Sequence, residues 1–360
     1  MTRRRKLRWL WLVILLGLAG TGAALAWTFF HREQDFGRMG DVVAKVRDEL
    51  RPIEVVAGWT YPEATRTYFA YYGLDVERRI VGVEHLFGTW ESAGYTLVTH
   101  VYKPSRPRAT VVLVHGYLSH CGEYRHLIEA LVRENYAVAL YDLPGHGLST
   151  GPRGSINRFA TYSQTLADFR TLIETLCPGP YHVVGFSTGG ATVLDHLLTR
   201  PAGLFDKVVL AAPLVRSAAW DASKVGYELL SRFAEQVPRA RTAPSSDQAW
   251  VEFNLNRDPL QGQSVPLEWV KAMFDWNEAI QSLESVDQPV LVVQGTADGT
   301  VDYSYNLEFL QEKLPRAKIQ MIEGARHELF NESPVLRTEA IEKVVSYLAE
   351  TPLSPSGAEE

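Results

Sequence analysis

Residues 181–190 read Y-H-V-V-G-F-S-T-G-G. The first half of this stretch is a short apolar run rich in β-branched residues, as in a buried strand, and residues 191–198 continue at helical spacing. Ser187 therefore lies in a G-x-S-x-G turn between a strand and a helix, a pattern called the nucleophile elbow. The stretch predicts an α/β fold whose strands and helices support a reactive serine.

The two glycines of this turn have a steric purpose. Gly185 and Gly189 lie two positions before and after Ser187. Only small residues there let the strand and the helix pass closely enough to close a sharp turn, which holds the serine in a strained conformation. The helix that follows also points its first N–H groups at the place where an oxyanion would form. Because G-x-S-x-G arises by chance in many chains, the serine needs partners elsewhere in the sequence before it indicates an enzyme.

Length and composition suit one large globular domain. The chain has 360 residues, of which 46% are apolar and 22% charged, enough for an α/β domain with an insertion. A formal net charge of −6 argues against a nucleic-acid binder. The two cysteines, Cys121 and Cys177, fall at opposite edges of the predicted sheet, so we expect two separate thiols.

The N-terminus carries a membrane signal. Five basic residues lie within Met1–Arg8, and Trp9–Phe30 contains no charged side chain. About 20 apolar residues span a bilayer as a helix, and the basic flank stays in the cytoplasm. We expect residues 1–30 to anchor the chain with its catalytic part on the extracytoplasmic side, periplasmic or extracellular. Ala24-Leu25-Ala26 resembles a signal-peptidase site, so a cleaved and secreted form is the alternative.

The flanks of the main domain are less informative. Residues 31–78 are polar and mixed in charge, with a possible helix over Asp41–Leu50, and we interpret them as a membrane-proximal linker that packs onto the domain. The linker is rich in aromatic side chains, which either cover a core or dip into the bilayer interface. Residues 351–360 are expected to form a disordered tail. The aromatic residues concerned are Tyr61, Tyr68, Phe69, Tyr71 and Tyr72.

Residues 79–350 show the pattern of a single α/β domain. Val81–Trp90 and Tyr95–Lys103 read as a β-hairpin, after which strands and helices alternate. Such alternation predicts a mostly parallel, doubly wound sheet with ligands at the carboxyl ends of its strands. Strands are predicted near Thr110–Val114, Ala137–Tyr141, Tyr181–Gly185, Lys207–Ala211, Pro289–Gln294 and Lys318–Ile322, and helices near Tyr124–Glu134, Tyr162–Leu176, Ser187–Arg200, Tyr305–Leu314 and Pro334–Glu350.

One interval interrupts the alternation. Residues 213–286 are rich in tryptophan and phenylalanine and follow a predicted strand at its carboxyl end. An aromatic insertion at that edge would cover the serine as a lid and bind an apolar substrate. The alternative is a small helical subdomain with its own core, and both descriptions can hold together.

Candidate partners for the serine follow later strands. His327 follows the last predicted strand, whereas most other histidines fall inside predicted strands or helices, where packing roles are usual. Asp298 follows the preceding strand and is favoured as the orienting carboxylate, with Asp302 as its rival. The backbone N–H groups of Tyr117 and Thr188 would form the oxyanion hole, and His115 is expected to hold its loop by hydrogen bonds.

Six segments together resemble the monoacylglycerol lipase and lysophospholipase branch of the α/β-hydrolases, also called the serine aminopeptidase S33 family. The resemblance covers about residues 80–350 and implies Ser187 as nucleophile, His327 as base and Asp298 as acid. It implies no metal and no organic cofactor. Tyr117 stands where the family commonly has a small residue, which predicts a narrower acyl pocket. The segments are H-G-Y-L-S-H-C-G-E-Y (115–124), D-L-P-G-H-G-L-S-T-G (142–151), G-F-S-T-G-G (185–190), N-R-D-P-L (256–260), Q-G-T-A-D (294–298) and E-G-A-R-H (323–327).

The resulting hypothesis is a serine ester hydrolase that acts on a single-chain lipid, such as a lysophospholipid or a monoacylglycerol, through an acyl-enzyme. A peptidase or an acyltransferase could use the same residues, and a membrane-tethered binding protein could keep the fold without catalysis. We expect the membrane as a partner, no nucleic acid and no obligate protein partner.

Overall fold

The computed structural model describes residues 37–200, 202–240 and 242–350. Its main sheet has eight strands in the order β1-β2-β4-β3-β5-β6-β9-β10. The β1–β2 hairpin and the β2–β4 pair are antiparallel, and the remaining neighbours are parallel. The strands are β1 Val83–Ser92, β2 Tyr95–Pro104, β3 Thr110–Val114, β4 Ala137–Tyr141, β5 Tyr181–Phe186, β6 Lys207–Ala211, β7 Gln236–Pro238, β8 Ser264–Pro266, β9 Val290–Gly295 and β10 Ala317–Ile322, with β7 and β8 forming a separate pair.

Helices cover both faces of the sheet. One face carries α1, α2, α3 and α10, and the other carries α4, α5, α8 and α9. Parallel strands buried on both faces read as continuous apolar runs, which is why β3 places Val111 in one core and Val112 in the other. The helices are α1 (residues 37–49), α2 Glu63–Tyr72, α3 Arg125–Arg133, α4 Ala160–Leu176, α5 Thr188–Thr199, α6 Trp220–Leu230, α7 Gln248–Asn256, α8 Leu267–Gln281, α9 Tyr303–Lys313 and α10 Pro334–Ala349.

The mostly parallel sheet with helices on both faces agrees with the sequence prediction. All six predicted parallel strands are present, and β3, β4 and β6 have the predicted bounds. The hairpin begins two residues later than predicted, because Gly82 adopts a φ of +83° in a turn before β1. Both cysteines are free thiols, as expected, and both are buried.

The segment before β1 packs tightly onto the domain. Helix α1 covers the region where a helix was predicted and buries Met39, Val43 and Val46 in the core of one sheet face. Tyr68 and Phe69 of α2 join the same core. The aromatic side chains of this segment therefore cover the core, the first of the two uses considered for them.

Residues 51–53 lie along the outer edge of β1. Pro52 forms a parallel bridge with Thr89, whose N–H donates to the Arg51 carbonyl at 2.7 Å. The approach is so close that a Cβ atom on Gly88 would lie 2.6 Å from the Arg51 oxygen. The outer edge of the sheet is thus covered by the chain itself at this point.

The insertion, residues 213–286, contains α6, α7 and α8 together with the β7–β8 pair, and we call it the lid. The α8 side chains Trp269, Met273 and Trp276 belong to the same core as the sheet. Helix α8 therefore packs into the core of the main domain and not into a separate core of the lid. Leu229 and Phe233, in and just after α6, are exposed instead.

No helix within the described residues is both long and apolar enough to cross a membrane. The predicted anchor, residues 1–30, and the predicted tail, residues 351–360, lie outside the described residues.

Candidate active site

Ser187 lies at the sharp turn between β5 and α5. Its backbone has a φ of +52° and a ψ of −113°, which is a strained conformation for a residue with a side chain. A Cβ atom on Gly189 would lie 2.1 Å from the Val114 oxygen, and one on Gly185 would lie 2.5 Å from the Gly189 oxygen. Both glycines are therefore required by the close passage of strand and helix, as the sequence pattern predicts.

His327 lies in the loop after β10 and reaches the serine. Its Nε2 atom is 2.9 Å from Ser187 Oγ, and its Nδ1 atom is 2.8 Å from Asp298 Oδ2. All three residues are buried. With Nδ1–H donating to the carboxylate, Nε2 is free to accept the serine proton.

Asp298 is held as a carboxylate by several donors. Besides His327, Gln294 Nε2 donates to Oδ2 at 3.0 Å, and the Thr300 N–H donates to Oδ1 at 2.8 Å. Burial alone would raise the pKa of Asp298, but His327 and these hydrogen bonds lower it below its ordinary value. Sequence reasoning missed Gln294, although it stands in the Q-G-T-A-D segment; the orientation of its side chain is a tertiary feature.

Asp302, the rival acid, has another role. Its side chain accepts from the Tyr305 N–H at 3.2 Å as the N-cap of α9. The structure therefore brings Asp298, and not Asp302, to His327.

The pKa of His327, the predicted base, is shifted. Burial alone would lower the pKa of His327, whereas the Asp298 carboxylate, and to a lesser extent Glu328, raise it above the ordinary histidine value. Charge on the imidazole is stabilised by the same carboxylate that orients the ring.

The loop of residues 115–119 lies against the serine. A Cβ atom on Gly116 would be 3.3 Å from Ser187 Cβ. Within the described part of the chain, neither the Tyr117 N–H nor the Thr188 N–H has a hydrogen-bond acceptor. His115 fixes the loop, since its Nε2 accepts from the Leu143 N–H at 2.9 Å and its Nδ1 donates to the Gly116 oxygen at 2.8 Å. Burial lowers the pKa of His115 to about 4, so it is neutral in this structural role.

The Tyr117 side chain points toward the lid. Its ring stacks on Trp269 with centroids 3.6 Å apart, and its hydroxyl donates to the Gly154 oxygen at 2.7 Å. Tyr117 thereby joins the loop beside the serine to α8 of the lid.

A second buried polar cluster lies beyond this loop. His120, Glu123 and Asp258 place one nitrogen and two carboxylates within 4.8 Å of one another, a donor set that could ligate a cation. The carboxylate oxygens, however, accept hydrogen bonds from Tyr72, Ser119, Asn254, Gln261 and the Leu260 N–H. We therefore describe the cluster as a hydrogen-bond network between the loop and the base of the lid. No role was predicted for these residues, because their closeness depends on contacts between residues 131 and 138 positions apart in the sequence.

Comparison with known proteins gives consistent matches. A family model described as "Serine aminopeptidase, S33" matches residues 105–334. The monoglyceride lipase of Rattus norvegicus is 28% identical over 276 residues, covering 71% of this chain and 88% of the lipase. Phospholipase YtpA of Bacillus subtilis is 25% identical over 244 residues, covering 64% of this chain and 92% of the phospholipase. The crystal structure of Paleococcus ferrophilus monoacylglycerol lipase superposes with a TM-score of 0.61 at 26% identity, covering 70% of this chain and 98% of that one.

Proposed function

Starting from the fact that the chain belongs to the serine aminopeptidase S33 family of α/β-hydrolases and is a carboxylic ester hydrolase, we propose that it cleaves the ester of a single-chain lipid with Ser187, His327 and Asp298. One observation carries the assignment of residues. His327 lies between the other two, 2.9 Å from Ser187 Oγ and 2.8 Å from Asp298 Oδ2. Serine activation needs this hydrogen-bonded order.

The first step forms an acyl-enzyme. Ser187 Oγ attacks the ester carbonyl while His327 Nε2 takes the hydroxyl proton, and Asp298 stabilises the imidazolium that results. The N–H groups of Tyr117 and Thr188 donate to the oxyanion. When the tetrahedral intermediate collapses, Nε2 returns the proton to the leaving alcohol.

The second step repeats the chemistry with water. Nε2 takes a proton from a water molecule, whose oxygen attacks the acyl carbonyl, and then gives that proton to Ser187 Oγ as the fatty acid leaves. Every step uses side chains and backbone groups of this chain.

The choice of a single-chain lipid has two supports. The relatives are named as monoglyceride lipases and as a phospholipase. The lid also carries large apolar side chains on its outer surface, which suits a substrate that arrives from a lipid aggregate or bilayer. These residues are Val225, Leu229, Leu230 and Phe233.

We also propose that the enzyme works at the extracytoplasmic face of a membrane. The support is the charge pattern of residues 1–30, with basic residues preceding an uncharged apolar run. Fusing a reporter active on only one side of the membrane to residue 360 of the full chain tests the orientation, and a cytoplasmic signal contradicts it.

The assignment is tested with the full chain and the variants Ser187→Ala and His327→Ala. Hydrolysis of a monoacylglycerol and of a lysophosphatidylcholine is measured by release of fatty acid. Each variant should lose kcat by about 10⁴-fold or more, because the nucleophile and its base act as a unit. Asp302→Ala is the matched control and should keep its kcat. Turnover like that of the wild type in either active-site variant contradicts the proposal.

Two further measurements separate the alternative activities. A competing alcohol added as acyl acceptor distinguishes hydrolysis, which yields free fatty acid, from acyl transfer, which yields a new ester. A fluorophosphonate probe should label Ser187, and a failure to label it favours a binding protein without catalysis.

A further inference from the structure

A chain of buried hydrogen bonds joins the segment before β1 to the loop beside the serine. The Tyr72 hydroxyl of α2 donates to Asp258 Oδ1 at 2.7 Å, and His120 Nε2 donates to Asp258 Oδ2 at 2.8 Å. Tyr72 precedes the region matched by the family model, Asp258 lies in the lid, and His120 immediately follows the 115–119 loop. Three separate parts of the chain therefore meet at one carboxylate.

Asp258 depends on these donors. Its carboxylate is fully buried, and the Leu260 N–H is the other close donor to Oδ1, at 2.9 Å. Burial alone would raise the pKa of Asp258, but the electrostatic attraction of His120 and the hydrogen bonds from His120, Tyr72 and the Leu260 N–H lower it. A buried carboxylate that loses a donor must find another partner or shift, because an unmade hydrogen bond to a charged group is costly.

His120 connects Asp258 to the loop of residues 115–119 by hydrogen bonds. Its Nδ1 accepts from the Gly122 N–H at 3.1 Å and so caps the short 3-10 helix Cys121–Tyr124. At the end of that helix, the Tyr124 hydroxyl accepts from the Gly116 N–H at 3.3 Å. Gly116 immediately precedes Tyr117, whose N–H is the proposed oxyanion donor. The position of this donor is thus tied to Asp258 through His120 and Tyr124.

The Tyr72 ring also packs against His120 and the turn that follows it. It packs edge-on against the His120 ring with centroids 4.9 Å apart. A Cβ atom on Gly122 would lie 2.7 Å from Tyr72 Cδ1, which places the ring directly on the turn after His120. Removing only the hydroxyl would leave this packing in place and break the hydrogen bond.

We propose that Tyr72 is a positioning residue for ester hydrolysis, which acts through Asp258 and His120 to hold the Tyr117 N–H where the oxyanion forms. The inference rests on the proposed function and extends it to a segment outside the family match. The carbonyl oxygen of the ester gains its negative charge only as Ser187 attacks. A displaced N–H donor therefore destabilises the transition state more than it weakens binding of the ester. Tyr72 should therefore affect kcat rather than KM.

The test compares two tyrosines in the full-length chain. Tyr72→Phe removes the hydroxyl that reaches Asp258. Tyr71→Phe is the matched control, since its hydroxyl donates at 2.7 Å to a backbone acceptor, the Arg257 carbonyl of the same lid turn. Both are assayed with a soluble short-chain nitrophenyl ester, well below their measured melting temperatures. Asp258→Asn, alone and combined with Tyr72→Phe, completes a double-mutant cycle.

Tyr72→Phe should lower kcat by roughly three- to tenfold, less than the loss of a whole oxyanion donor, with KM within about twofold of the wild type. Tyr71→Phe should leave both constants within about twofold. Asp258→Asn should also lower kcat, and the double variant should lose little more than Asp258→Asn alone, because both changes interrupt one path.

Several results would overturn the inference. These are a kcat for Tyr72→Phe equal to that of Tyr71→Phe, a loss confined to KM, or fully additive losses in the double variant. If Tyr72→Phe does not fold, Asp258→Asn carries the same test, and an unchanged kcat there counts against it. Ser187→Ala separates the two proposals. Activity retained in Ser187→Ala removes the proposed function itself, whereas an inactive Ser187→Ala beside an unaffected Tyr72→Phe removes only the role of Tyr72.

Discussion

The ring of Tyr117 stacks on that of Trp269, with ring centroids 3.6 Å apart and an angle of 17° between the ring planes. A side chain from the loop beside the serine therefore packs against the lid. The backbone of Tyr117 has a different proposed role, since its N–H would donate to the oxyanion. The two roles of Tyr117 can therefore be separated by mutation.

Tyr117→Phe should retain kcat and lose a little stability. The change keeps the backbone N–H and the stacked ring but removes the hydrogen bond to the Gly154 oxygen. The free energy of unfolding should fall by about 1 kcal/mol, as measured by denaturant titration. A large loss of kcat with an unchanged melting temperature would show that the hydroxyl itself takes part in the reaction.

Asp298→Asn should change both the rate and its dependence on pH. His327 must be neutral to act as base, and its pKa is raised by Asp298, so the acid limb of kcat/KM in the wild type should lie above about pH 6.5. Without the carboxylate, burial dominates and lowers the pKa of His327, so the acid limb should move to lower pH. The kcat should also fall by about 10⁴-fold, because the histidine loses its orientation.

The comparison variant for this profile is Asp302→Ala. It removes the N-cap of α9 and should cost about 1 kcal/mol of stability. Its kcat and its acid limb should match the wild type. A pH profile that shifts in Asp302→Ala and not in Asp298→Asn would reverse the assignment of the acid.

Gly189→Ala should prevent normal folding. The new Cβ atom would lie 2.1 Å from the Val114 oxygen and 2.8 Å from the His115 oxygen, both of which are backbone atoms. We expect a loss of about 3 kcal/mol or more, seen as insoluble protein or a much lower melting temperature. Gly226→Ala in α6 is the control, since nothing lies within 4 Å of its new Cβ, and it should stabilise the helix by about 0.5–1 kcal/mol. Equal melting temperatures for the two variants would contradict the close passage at the elbow.

Replacing Leu229 and Phe233 together by serine should reduce activity on aggregated lipid. These side chains are 65% and 87% exposed on the lid, and burying apolar surface in lipid contributes about 25 cal/mol per Å². Hydrolysis of micellar lysophospholipid should fall about threefold or more, while hydrolysis of a soluble short-chain ester should not change. Val335→Ser in α10, where the valine is 79% exposed, is the control. Equal losses on both substrates would point to a folding defect instead.

Much of the fold could be predicted from the sequence because its signals are local. The parallel strands are buried on both faces, so β3, β4 and β6 appear as short apolar runs with sharp ends. The elbow glycines are recognisable because the steric demand falls on positions adjacent to the serine. The loops after β9 and β10 place an aspartate and a histidine near Ser187 because the carboxyl ends of parallel strands lie at the same edge of a sheet. The catalytic roles of these two residues remain predictions.

Other features depend on contacts that the sequence pattern does not show. Residues 37–78 are mixed in charge, and the burial of Tyr68 becomes apparent only when α2 meets the sheet. The strands β7 and β8 have three residues each, too few to show a periodicity. Tyr72 and Asp258 are 186 residues apart, so no local signal connects them.

The strip of chain beside β1 has a consequence for the behaviour of the protein in solution. A bare outer strand offers unpaired N–H and C=O groups to any other strand, and natural proteins avoid such edges because they lead to aggregation. Here Arg51 and Pro52 occupy part of that edge beside Thr89. A fragment cut back to residue 79, where the predicted α/β domain begins, would keep the proposed catalytic residues but open the sheet to intermolecular strand addition. Arg51 and Pro52 thus leave less of this edge open to strand pairing with a second molecule.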